Sequence, residues 1–148
     1  MKNLEQFKDD YYDLSKVTSG FPDEETHEGF QNQSPYDLIA NYSKKERKEL
    51  IDFCKENFQP IKSKKLSTYT LKHWAEHCLN HLGLSYVSTG AMKGALLLSG
   101  FDLDPYKFDA NVNIGSAYYI KKRVHQKYGV GHWANDNRPQ VNWNMKEI

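Results

Sequence analysis

The sequence lacks a long apolar run, a cysteine framework and a glycine-rich phosphate loop, and each absence removes a class of protein. No stretch approaches the ~18 consecutive apolar residues of a membrane-spanning helix. The opening MKNLEQFKDDYYDL carries no signal-type apolar segment. A cytoplasmic protein with no membrane partner is therefore expected. Only two cysteines occur, Cys54 and Cys78, both at apolar helical positions. Buried reduced thiols are expected there, with a disulfide as the alternative. The stretch Gly90 to Gly100 has neither a terminal Gly-Lys-Ser/Thr nor a G-x-G-x-x-G spacing. No G-x-S-x-G elbow occurs. With no pattern supplying a nucleophile, a base and a stabiliser together, no catalytic residue is assigned. The chain is expected not to be an enzyme, and no cofactor or small-molecule substrate is expected.

What is present is aromatic. Ten tyrosines, seven phenylalanines and three tryptophans make 14% of the chain, against a modest hydrophobic fraction of 39%. Each aromatic ring buries a large area, so these residues can build a core in a chain of single-domain size. The net charge of +1 hides an asymmetry. Residues 1–37 hold nine acids and three lysines, a net of −6, whereas 43–65 carry a net of +4 and 66–148 a net of +3. An acidic head on a basic body points either to two ordinary solvated faces or to one end that meets a basic partner.

Periodicity supplies the elements. Leu4, Phe7, Tyr11 and Leu14 follow helical spacing, and TSGFPDEETHEGFQNQ then reads as an acidic loop. In SPYDLIANY, Ser34 is placed as N-cap and Pro35 at the first helical position. SKKERKELIDFCKENFQP opens with the capping box Ser43 and Glu46 and carries Leu50, Cys54 and Phe58 on one side, with Ile51 beside them. Pro60 ends it. KSKKLSTYT is a basic linker into a helix over 68–82, capped by Ser67 or Thr68 and stopped by Gly83. Its stripe is Leu71, Ala75, Cys78, Leu79 and Leu82. A helix over 89–99, capped by Ser88 or Thr89 and ended by Gly100, is apolar nearly all round and so belongs at the centre. Its Gly90 and Gly94 invite close packing of another backbone. A brief strand is expected near Val112 and Ile114, as one arm of a hairpin or a wing. SAYYIKKRVHQKYG is a basic helix with Ala117, Ile120 and Val124 inward.

Three of the six histidines lie in LKHWAEHCLNHLG. His73-x-x-Glu76-His77 matches a spacing used by one class of zinc hydrolase. Such a site needs a third ligand from a later segment. Asp102, Asp104, Asp109, Asp136 and Glu147 follow, none within a second motif. At ~100° per residue His73 and His77 lie opposite the apolar stripe. Exposed helix histidines are the reading adopted, no metal ligand is assigned, and a zinc-binding hydrolase is the minor alternative.

The basic helix offers a nucleic-acid surface. Lys121, Lys122, Arg123 and Lys127 are suited to phosphates, and Tyr119 and Tyr128 to phosphates or exposed bases. The lysines of the linker, Lys62, Lys64 and Lys65, extend that surface. The acidic aromatic head, with Asp9, Asp10, Tyr11, Tyr12 and Asp13, is the candidate for meeting a basic partner.

YTLKHWAEH followed by YVSTGAMKGALLLSGF resembles a small module of accessory proteins from bacterial phages and mobile genetic elements. The residues that carry the resemblance are Tyr69, Lys72, His73, Glu76, Tyr86, Val87, Ser88, Gly90, Gly100 and Phe101, about a quarter of the chain. The resemblance implies phage or mobile-element biology in a bacterial host cytosol and brings no activity with it. Two functions are then expected. The first is a binding inhibitor of a host or defence protein that handles nucleic acid, in the manner of an anti-CRISPR. The second is a DNA-binding regulator or replication accessory. The expected fold is mainly α with a small β element: a compact helical domain over 34–130, an acidic and mobile arm over 1–33, and a polar tail over 131–148. At its centre, helix 68–82 is expected to pack on helix 89–99 in a helix-turn-helix-like pair. If His73 and Glu76 bond to the YVSTG turn, they fix the angle of that pair.

Overall fold

The computed structural model describes residues 4–8, 34–64, 66–80, 83–84, 86–105, 110–115 and 117–128, with backbone alone at 117–119 and 123. The regular structure among these residues is mainly helical, with one small antiparallel sheet. Ser43 starts α2 (Lys44–Asn57) by the expected reciprocal bonds. Its Oγ accepts from the Glu46 amide at 3.1 Å, and Glu46 Oε1 accepts from the Ser43 amide at 2.8 Å. The helix buries Leu50, Phe53 and Cys54, while Ile51 is only half-buried. Phe53, absent from the predicted stripe, joins Phe58 edge-on at 5.6 Å, and Phe58 meets Trp74 at 6.5 Å and Phe101 at 6.3 Å. The aromatic core is real, and Trp74, which is not in the expected stripe of its helix, lies inside it at 5% exposure.

The preceding helix starts later than expected. Ser34 and Pro35 form a turn of i to i+3 bonds, Ser34 O to the Asp37 amide and Pro35 O to the Leu38 amide, and α1 is Asp37–Asn41 with Tyr36 as its N-cap. Ser34 Oγ bonds the Tyr36 amide instead of capping the α-helix.

Among the described residues the strand near Val112 pairs with a distant segment and not with a neighbouring one. β1 (Leu66–Ser67), inside the basic linker, pairs antiparallel with β2 (Asn111–Val112), Leu66 facing Val112 and Ser67 facing Asn111. The Ile61 amide bonds Asn113 O at 2.8 Å, and the Thr68 amide bonds Ala110 O at 2.9 Å, which extends the pairing at both ends. Lysine-rich composition hid this strand because two residues carry no readable period.

Ser67 then caps α3 (Thr68–Leu79), its Oγ accepting from the Thr70 amide, while Thr68 turns inward to bond Ala110 O. Beyond α3 the Gly83 amide bonds Asn80 O and the Leu84 amide bonds Leu79 O, with Gly83 at φ 92°. That is a Schellman closure around the expected glycine. Leu82 lies outside the described residues. α4 (Thr89–Leu98) closes in the same way, with Phe101 N–H to Leu96 O and Gly100 at φ 93°. Ser88 is its cap, accepting from the Ala91 amide at 3.0 Å.

α4 is central as its all-round apolar face requires: every residue from Thr89 to Leu97 is buried, and it packs on α1, α2 and α3. Lys93 is buried with them, its Nζ 3.4 Å from the Pro105 carbonyl. α3 packs on α4 as expected and also on α5 (Ala117–Tyr128), which sends Ile120 and Val124 inward. Of the expected acidic arm, residues 4–8 are described. A 3-10 turn, Leu4–Phe7, buries both Leu4 and Phe7 in the same core. Among the described residues no helix is long and apolar enough to cross a membrane.

Candidate binding surface

One face of α3 collects several residues of the YTLKHWAEH pattern around one carboxylate. Lys72, His73 and Glu76 stand one turn apart, so their side chains share a patch. Glu76 Oε1 lies 3.2 Å from Lys72 Nζ and 3.2 Å from His73 Nδ1. Its other oxygen, Oε2, accepts the Val87 amide at 2.9 Å. The carboxylate thus ties α3 to the YVSTG turn, which is the bond on which the helix-to-helix angle was expected to depend, and His73 stands against the same carboxylate.

The next residue, Ser88, continues the network into α1. Its amide donates to the Tyr42 hydroxyl at 2.9 Å, and its hydroxyl bonds Asp37 Oδ2 at 2.5 Å. Burial raises the Tyr42 hydroxyl above its ordinary value, and the Ser88 bonds pull it partly back. Lys72 and Glu76 are almost entirely enclosed, with side chains 9% and 12% exposed. An ion pair so covered is screened little, and each member depends on the other.

Two tyrosines stand out from this buried frame. Tyr69, at 51%, and Tyr86, at 59%, are the exposed large hydrophobic side chains among the described residues. Lys72 Nζ sits over both rings, 5.1 Å from the Tyr69 centroid and 5.6 Å from that of Tyr86. The His73 ring meets Tyr69 edge-on at 4.4 Å. Burial raises the Tyr86 hydroxyl, and the carboxylates of Asp37 and Glu76 raise it further. One lysine therefore positions two rings, and negative charge lies behind them.

The zinc spacing resolves into separate contacts. His73 turns to Tyr69 and Glu76, whereas His77 stacks on the buried His125 at 5.9 Å. No group of three His, Cys, Asp or Glu side chains converges among the described residues. Cys54 and Cys78 are free thiols, both buried, and burial pushes Cys78 up to about 12. Such thiols are poor nucleophiles.

The described members of the predicted basic surface differ in their surroundings. Lys121 is exposed and Lys122 half-buried. Lys127 is engaged within the chain, 3.8 Å from Glu56 and 3.4 Å from Asn57 Oδ1. Tyr128 packs against Phe53 at 5.7 Å, with its hydroxyl bonded to Asn57. Of the linker lysines, Lys62 is exposed and Lys64 pairs with Asp102 at 3.3 Å. The side chains of Tyr119 and Arg123, and residues Lys65, Asp9, Asp10, Tyr11, Tyr12 and Asp13, lie outside the described residues.

Sequence reasoning set His73 on the wet side of α3 but gave no place to the rings beside it. The available signal was Tyr69 at i−4 from His73, which helical spacing sets on the same face. Tyr86 carried no periodic signal, because it lies in a connection. No protein-family description, curated protein or solved structure matches this chain.

Proposed function

We propose that this chain is a non-catalytic accessory protein of phage or mobile-element origin that works by binding a host or defence protein which handles nucleic acid, and thereby inhibits it. The observation that carries the reading is the pair of exposed tyrosines, Tyr69 and Tyr86, held over a nearly buried Lys72–Glu76 pair. Tyrosine is enriched among the residues that dominate interface energies, because it presents a large rigid ring with few rotors to immobilise. A frame of buried bonds fixes these rings before any partner arrives, which lowers the entropy cost of docking. The acidic composition of residues 1–37 adds charge of the sign that a nucleic-acid-handling surface attracts.

The alternative, a DNA-binding regulator acting through α5, draws on exposed Lys121 and half-buried Lys122. It is weakened by Lys127 and Tyr128, which have partners within the chain.

Affinity capture from host cells, with the retained protein identified and its activity assayed against added chain, tests the proposal. We expect a nucleic-acid-processing protein to be retained and inhibited, and both effects to be lost in Tyr69→Ala/Tyr86→Ala. Equal retention and inhibition by that variant would defeat the reading. Duplex DNA binding whose salt slope falls in Lys121→Ala/Lys122→Ala/Arg123→Ala would favour the alternative instead.

A further inference from the structure

We draw no further inference here: the strongest candidate, the surface patch on α3 and the turn after it where the Tyr69 and Tyr86 rings flank Lys72, belongs to the binding surface already described, and nothing in the structure shows what covers it.

Discussion

Glu76 accepts bonds from Lys72 of its own helix and from the Val87 amide of the following turn, and His73 Nδ1 stands 3.2 Å from it. Half of this was legible. The resemblance paired His73 with Glu76 and with YVSTG, and that pairing raised the question of a bond between them. Lys72 was not legible as a buried residue, because a lysine on an amphipathic helix ordinarily reaches water. Here the Tyr69 and Tyr86 rings and Glu76 close over it. Glu76→Gln keeps the shape and removes the charge, leaving the Lys72 ammonium covered without its counter-ion. We expect a loss of about 2 kcal/mol in urea unfolding. Lys72→Met/Glu76→Gln should lose less than the sum of the two single changes, because both charges leave together. Additive losses in that cycle would show that the pair is not coupled.

At the scale of elements, the stops and caps were the most readable features, because each is a local chemical rule. Ser43, Ser67 and Ser88 cap their helices, and Gly83 and Gly100 close theirs. Pairings between distant segments were not readable. Nothing in KSKKLSTYT announces that Leu66 will face Val112, and nothing in Gly90 and Gly94 says which backbone will come close. The neighbour at Gly94 is α1 and the N-terminal turn, not α3. A Cβ there would stand 2.7 Å from Pro35 O and 3.1 Å from both Leu38 Cβ and Leu4 Cδ1. A carbonyl oxygen of the backbone yields less easily than a side-chain tip. Alanine in place of glycine within a helix would otherwise gain about 1 kcal/mol, and the forced displacement opposes that gain. Gly94→Leu should lose about 1–3 kcal/mol, with Gly94→Ala falling short of its propensity gain. An undiminished unfolding midpoint in Gly94→Leu would mean that α1 does not press on α4.

At the scale of the whole molecule, α4 runs through the middle and the other elements enclose it, so groups sheltered in that core govern how the fold responds to pH. Cys54 and Cys78 are both 0% exposed, which their helical positions foretold. Burial pushes Cys78 from 9.0 up to about 12 and raises Cys54 as well; it also raises Tyr42 and Tyr128. In each case the folded chain keeps a proton that the unfolded chain gives up. Above the unfolded value the unfolded state therefore binds fewer protons, and stability falls as pH rises. The contribution of Cys78 is complete below 9.0 and is lost up to about 12. Within that window each such thiol steepens the fall by about 1.4 kcal/mol per pH unit. Comparing urea unfolding at about pH 9 and about pH 10.5, Cys78→Ala should flatten the decline by about 2 kcal/mol, although its stability is lower at every pH. The tyrosines titrate in both proteins, and Tyr128, which the Cys78 charge also raises, adds a smaller part to the difference. If the two declines run parallel, solvent reaches Cys78 and the packing of α3 against α5 is looser than its burial implies.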